Sequence, residues 1–242
     1  MIDLHGKTIL ITGSARRIGR ALALAVAQAG ANLVLHHAHS PQEAAQVQSE
    51  IQAMGRQAWV LSADFNDPRQ AESLVGRALD FSPLYALVNS AAIFGSFNWE
   101  TTTLEDWQRH LDVNLTAPFL LSQAFARSLE ADNSGRIINI LDWRALRPAA
   151  GRLPYMISKA ALAALTRSLA LALAPRITVN GLALGAILPP SDGNLDPALI
   201  QRVPAGRWAE LEEVSQALLF LLAGPSYITG EILHVDGGRH LV

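Results

Sequence analysis

Short apolar runs rich in β-branched residues recur along this chain, and a helical pattern follows each of them. Lys7 to Thr12 (KTILIT) reads as a buried strand that ends at Gly13, and Ile18-Gly19-Arg20 opens an apolar helix running to about Ala29. Asn32 to His36 (NLVLH) is a second strand, and Pro41 to Met54 a helix with Pro at its start. Trp59 to Ala63 makes a third strand, followed by Asp64, Phe65 and a helix from about Pro68 to Phe81. Leu84 to Asn89 is a fourth strand, Thr103 to Leu129 one long helix, and Arg136 to Leu141 a fifth strand. After an apolar helix near Tyr155 come the strands Ile177 to Leu182 and Glu231 to Val235, with a loop and the helix Leu211 to Leu222 between them. Such alternation implies a parallel sheet covered on both faces. No linker, repeat or low-complexity stretch divides it. We expect one α/β domain over residues 1–242, a doubly wound parallel sheet of about seven strands with helices on both faces.

Composition removes several functions. With 242 residues, half of them apolar, the chain can bury one sizeable core. A net charge of -2 gives no polyelectrolyte signature, so nucleic acid is not an expected partner. Without cysteine there is neither a disulfide nor a thiolate site, which fits a reducing compartment. No apolar run reaches about 18 residues without a polar interruption, and Met1-Ile-Asp-Leu-His lacks the regions of a signal peptide. A cytoplasmic protein without a membrane role is expected. His36, His37 and His39 are dense, but no carboxylate or Cys stands at ligand spacing, so no metal is expected.

Tyr155 and Lys159 stand four positions apart at the start of an apolar helix, so both can point into one cleft. A phenol titrates near roughly 10, and a neighbouring cation favours its ionised form. The pair therefore suits proton transfer. Lys7 and Lys159 are the only lysines in a chain that otherwise uses Arg. Lysine is a compact charge whose pKa shifts readily, which suggests a chemical task at position 159. At the other end, strand, glycine turn (Gly13 to Gly19) and helix form a phosphate-binding start, where helix N-terminal N–H groups meet a pyrophosphate.

Together these residues resemble the short-chain dehydrogenase/reductase family over essentially the whole chain. The matching residues are Gly13 and Gly19, Asp64, Asn89-Ser90-Ala91-Ala92, Asn114, Tyr155, Lys159 and the closing Asp236-Gly237-Gly238, in the family's order. The resemblance implies a Rossmann-like fold and a nicotinamide cofactor. It implies Tyr155 as acid/base, Lys159 holding the ribose and acidifying the Tyr, and Asn114 holding a relay water. Cofactor contacts are implied for Gly13, Ile18 and Gly19 in the turn, for Asp64 (adenine amine) and Phe65, and for Asn89, Ser90 and Ala91. Gly185 and Ile187 are implied at the far end.

Two departures narrow the resemblance. Arg17 stands where the family usually has a third turn glycine, and Asp142 stands thirteen positions before Tyr155, where the family's catalytic Ser sits. A carboxylate there would repel a developing alkoxide, so it suits a substrate with N–H donors better than a ketone. Arg in the turn and Asp before Tyr and Lys resemble the pteridine reductase branch. That branch also implies Phe94 as an aromatic stacking the pterin, with Arg17, Asp142 and Tyr155 contacting it. Ala92 departs from the Ser of its parasite members. Trp143 either lines the pocket or packs beneath it.

The second strand ends His36-His37-Ala38-His39-Ser40 without the acid that would hold ribose hydroxyls. Arg, His and Ser can bind a 2′-phosphate instead. NADPH is therefore the expected cofactor, clamped by Arg17, His39 and Ser40, with Arg16 assisting and His37 nearby. A substrate lid is expected near residues 186–207, where a Pro/Gly/Asp-rich loop follows a strand end. The expected reaction is reduction of a dihydropterin to a tetrahydropterin. The alternatives are reduction of another carbonyl, such as a 3-oxoacyl thioester or a sugar, and a non-catalytic NADPH sensor. The resemblance further implies a homotetramer built through the two long helices.

Overall fold

In the computed structural model, which describes residues 2–147, 150–188 and 200–242, seven strands form one parallel sheet. They are β1 (Thr8–Ile11), β2 (Asn32–His37), β3 (Ala58–Ser62), β4 (Leu84–Asn89), β5 (Gly135–Asp142), β6 (Ile177–Leu184) and β7 (Ile232–Val235). Their spatial order is β3-β2-β1-β4-β5-β6-β7, so the winding reverses between β1 and β4. A reversal of this kind opens a crevice beyond the carboxyl ends of the strands. The fold is the expected Rossmann-like one.

Among the described residues the α-helices include α1 (Arg17–Gln28), α2 (Pro41–Ala53), α3 (Pro68–Leu79), α4 (Leu104–Leu111), α5 (Ala117–Ser128), α6 (Leu153–Leu173) and α7 (Leu211–Ala223). Strand residues alternate between two cores, as a period of two requires. Ile9, Ile11, Leu33 and Leu35 pack with Leu22 and Val26 of α1 and Leu218 and Leu222 of α7. Leu10, Val34 and Leu87 face the other way, onto Leu74 of α3 and Leu121 and Phe125 of α5. Phe125 is fully buried, and truncating such a side chain to Ala costs about 3–5 kcal/mol.

Two expected boundaries move, with consequences for the site. The long helix between Thr103 and Leu129 is not uniform: a π turn over Asp112–Thr116 separates α4 from α5. Pro118 has no N–H to give the Asn114 carbonyl, which an α-helix would require. The Ala117 N–H instead reaches back to the Asp112 carbonyl. Such turns concentrate at functional sites, and this one carries Asn114. Strand β5 extends to Asp142, pairing it with Leu184, so the carboxylate sits on the last residue of a sheet strand. Helix α6 is long and apolar enough to cross a bilayer by length and composition. Buried Tyr155 and Lys159 lie on it, and Ala170 joins the core, so it serves as a core helix.

Candidate active site

The crevice at the sheet's carboxyl edge is a cleft of about 870 Å³. Its floor begins at the turn after β1. Gly13 has φ of +65°, and a Cβ added there would meet the Ala91 backbone, so only glycine lets the turns after β1 and β4 approach. A Cβ on Gly19 would collide with the Gly13 carbonyl. Thr12 ties the same two turns together: its Oγ1 accepts from the N–H groups of Ser90 (2.9 Å) and Ala91 (3.0 Å). Gly13, Arg16, Arg17, Ile18, Gly19, Ser90 and Ala91 all line the cleft. Arg17 adopts φ of +53°, a left-handed conformation suited to glycine, at the position where the family usually has one.

Opposite this turn stand the residues expected to do chemistry. Tyr155 donates its hydroxyl to Asp142 Oδ2 at 3.1 Å. The same carboxylate accepts the Arg144 N–H at 2.8 Å and lies 3.5 Å from the Arg144 guanidinium. Lys159, buried four residues beyond Tyr155, donates to the Ile140 carbonyl at 2.7 Å. The π turn aims Asn114 at the same wall: Oδ1 accepts from Ile93 N–H, while Nδ2 donates to the Ile93 carbonyl and to Ser158 Oγ. Phe94 meets Tyr155 edge to face, with centroids 4.5 Å apart.

The electrostatics correct one expectation. Burial raises the Tyr155 pKa well above its ordinary value, and the Asp142 carboxylate raises it further. In this geometry the phenol is held protonated rather than acidified by Lys159. Burial also lowers Lys159 to about 8, with Asp142 opposing the shift. The nearest charge to the hydroxyl is a carboxylate, which sequence spacing on one helix does not reveal.

The far end of the cleft is lined by His37, His39, Ser40, Asp64 and Phe65. His39 Nε2 lies 3.3 Å from Asp64 Oδ2, and Asp64 Oδ1 accepts from the Asn66 backbone and side-chain N–H groups. Arg16 lies 3.8 Å from Glu43. Gly185 and Ile187 line the cleft near its other end, and a Cβ on Gly185 would collide with the Asp236 backbone. Among the described residues no group of three His, Cys, Asp or Glu could hold a metal.

Asn89 behaves otherwise than expected. Its side chain is buried behind the cleft and donates to Asn139 Oδ1 at 2.8 Å, so Ser90 and Ala91 supply the lining there. Residues 189–199 of the expected lid lie outside the described residues. Trp143 does line the cleft. Sequence reasoning did not single out four residues of the site. Arg152 sits with its guanidinium carbon 3.9 Å over the Phe94 ring, and Arg144 and Arg239 flank Trp143. His36 accepts the Gly13 N–H at Nδ1 (3.1 Å), contacts the Ala63 carbonyl through Nε2 (2.9 Å) and stacks on Phe65. Accepting at Nδ1 requires a neutral ring with its proton on Nε2. Burial is the main cause that lowers its pKa to about 4. The only signal for it was its place at the strand end.

Comparison with known proteins follows from this geometry. The family model described as enoyl-(acyl carrier protein) reductase matches residues 13–240. The chain belongs to the short-chain dehydrogenase/reductase family. Within this short-chain dehydrogenase/reductase group it is 36% identical to a 3-oxoacyl-[acyl-carrier-protein] reductase of Synechocystis sp., covering 98% of each chain. It also superposes on the alternative dihydrofolate reductase 1 of Brucella canis, complexed with NADP, with a TM-score of 0.92 and 33% identity, covering 99% of this chain and 96% of that one. A short-chain dehydrogenase of Burkholderia cenocepacia in complex with NADP gives a TM-score of 0.92 at 37% identity, covering 98% and 99%.

Proposed function

We propose that this chain is an NADPH-dependent reductase that converts dihydropterins to tetrahydropterins. The observation that carries the reading is the Asp142 carboxylate hydrogen-bonded to the Tyr155 hydroxyl at 3.1 Å. A carboxylate beside the acid disfavours a substrate that develops an alkoxide and favours one that presents N–H groups. The solved relative from Brucella canis, named an alternative dihydrofolate reductase, supports it.

The cleft fits NADPH by its own chemistry. The Gly13–Gly19 turn leaves room at the helix start for a pyrophosphate, and its glycines admit no Cβ. Arg16, Arg17, His39 and Ser40 supply cationic and hydroxyl donors for a 2′-phosphate, and they line the same end of the cleft. NADP in two of the solved relatives supports the choice. Lys159 would hold the nicotinamide ribose, and Asp64 the adenine amine.

When bound, NADPH supplies a hydride, which suits C6 of the N5=C6 imine of a dihydropterin. Tyr155 holds its proton at the hydroxyl oxygen and delivers it to N5, so hydride and proton together complete the reduction. Asp142 orients that hydroxyl and, through its carboxylate, accepts pterin N–H groups. Arg144 holds the carboxylate in place through its N–H and guanidinium. Asn114, fixed by the π turn, holds a relay water that returns the proton. Phe94 offers a flat face for the bicyclic ring, on the side that Arg152 does not cover.

The second reading is reduction of a 3-oxoacyl thioester. It is favoured by the Synechocystis relative and by the family model's description. A non-catalytic sensor is disfavoured, because Tyr155, Lys159 and Asn114 together serve proton transfer. Exposed Phe119 on α5 and exposed Ile157 and Leu171 on α6 support self-association through these helices, as a homotetramer. We place the enzyme in the cytoplasm. Oxidation of NADPH by the purified protein, with dihydrobiopterin, dihydromonapterin, dihydrofolate and an acetoacetyl thioester compared, tests the reading. Turnover of the dihydropterins is expected; turnover of the thioester alone would replace it with the second reading.

A further inference from the structure

Gly13 carries no side chain, so its backbone is free to leave the left-handed conformation that brings it against Ala91. One imidazole restrains it. His36, in β2 and only 2% exposed, accepts the Gly13 N–H at Nδ1 across 3.1 Å. Its other ring nitrogen lies 2.9 Å from the Ala63 carbonyl. The ring also stacks on the buried Phe65, with centroids 4.3 Å apart and planes 7° from parallel.

His36 therefore ties together two loops that follow different strands. Gly13 belongs to the turn whose helix start suits a pyrophosphate. Ala63 and Phe65 follow β3 and line the cleft beside Asp64, at the end assigned to the adenine. The main chain of His36 adds its own bonds: its N–H donates to Ser14 Oγ, and its carbonyl accepts the Ser14 N–H, each at 3.0 Å. Those two bonds survive a change of side chain, so the ring is a separable restraint. Burial, the largest cause, lowers the ring's pKa to about 4 and keeps it neutral, as an acceptor must be. A histidine that only filled the core would have no reason to face the cleft, and His36 lines it.

We propose that His36 is a positioning residue for the cofactor, holding the pyrophosphate turn through Gly13 and the adenine end through Ala63 and Phe65. The cost of ordering a glycine turn is then met on folding instead of on binding, which raises affinity. The inference rests on NADPH occupying this cleft, and not on which substrate is reduced.

Three substitutions separate the contacts of the ring. His36→Asn places an amide oxygen near Nδ1 and keeps the bond from Gly13. His36→Gln places an amide nitrogen near Nε2 and keeps the contact with Ala63. His36→Leu keeps neither. Calorimetry near neutral pH gives dissociation constants for NADPH and for adenosine 2′,5′-bisphosphate. The bisphosphate carries the adenine, the 2′-phosphate and a 5′-phosphate, without the nicotinamide. His36→Leu and His36→Gln should weaken both ligands about tenfold, the worth of roughly one hydrogen bond. His36→Asn should stay within about twofold of the wild type. Melting temperatures of the ligand-free variants are read in parallel. Affinities that rank by stability, and not by the acceptor kept for Gly13, would overturn the proposal. Wild-type affinity in all three variants would overturn it too, as would recovery by Gln without recovery by Asn. If His36→Leu does not fold, the Asn and Gln pair carries the comparison. A wild type that binds neither ligand would remove NADPH from the cleft, and this role of His36 with it.

Discussion

The Tyr155 hydroxyl donates to Asp142 Oδ2 across 3.1 Å, so the charge closest to this phenol is negative. The Tyr and the Lys on one helix suggest a cation acidifying a phenol. The end of β5 adds a carboxylate that reverses the sign. A protonated Tyr is the form a reductase needs, since the reaction consumes a proton at the substrate. Replacing Tyr155 with Phe should lower kcat by about 10²–10⁴-fold, the usual worth of a positioned acid. NADPH affinity, read by quenching of protein fluorescence, should change little. Unaltered kcat would remove Tyr155 from the mechanism.

Lys159 is expected to set the alkaline limit of NADPH binding. Burial lowers its pKa to about 8, so its charge is lost as pH rises through that value. NADPH affinity should therefore fall above about pH 8, while the fold gains stability there. In the unfolded chain the amine keeps its proton to roughly pH 10.4, and stability rises with pH wherever the unfolded state binds more protons. Dissociation constants measured from pH 7 to 9.5 check this, and a flat profile would show that the charge of Lys159 does not hold the cofactor.

His36 makes the turn acid-sensitive. Its folded pKa of about 4 lies below the ordinary value of 6.5. The unfolded chain therefore binds the extra proton first, and stability is lost as pH falls from 6.5 towards 4. Between pH 7 and pH 5 the loss from this group is about 2 kcal/mol by linkage. Urea unfolding of the wild type and of His36→Gln at both pH values isolates it. The substitution should remove that part of the pH dependence; equal slopes in the two proteins would assign the acid sensitivity elsewhere.

Arg17 exchanges backbone ease for charge. Its φ of +53° is one that glycine adopts freely, and a left-handed L-residue costs roughly 1–2 kcal/mol. Arg17→Gly should thus remain about 1 kcal/mol more stable than Arg17→Ala. Both should lower the preference for NADPH over NADH by about tenfold, as one phosphate contact is lost. Thermal unfolding and cofactor KM values read the two effects separately, and an unchanged cofactor preference would take Arg17 out of the phosphate clamp.

Much of this fold is legible in the sequence because each strand is a short β-branched run between turn residues. Ile9, Leu10 and Ile11 alternate between two cores, and both cores are covered by helices whose apolar periodicity is plain. The π turn is not legible: Asp112 to Thr116 continues a helical pattern, and only Pro118 hints that one carbonyl must find another donor. Along the cleft, the residues carried by the glycine turn and α6 could be read in order, since each follows a strand end. Arg144, Arg152 and Arg239 could not. Arg152 and Arg239 are drawn to the site by packing on Phe94 and Trp143, contacts between segments far apart in sequence, and Arg144 by the turn that follows β5. Asn89 shows the opposite failure, a polar side chain at a strand end that turns into the core to meet Asn139.

The central claim is that Asp142 selects a substrate with N–H groups, and Asp142→Ser tests it most directly. Measured against the wild type, the variant should lose about 10- to 100-fold in kcat/KM for dihydrobiopterin, the worth of a charge-assisted hydrogen bond. Its NADPH dissociation constant should stay within about twofold, because Asp142 belongs to the substrate side of the cleft. Equal losses in pterin turnover and NADPH binding would contradict the account and make Asp142 a structural residue.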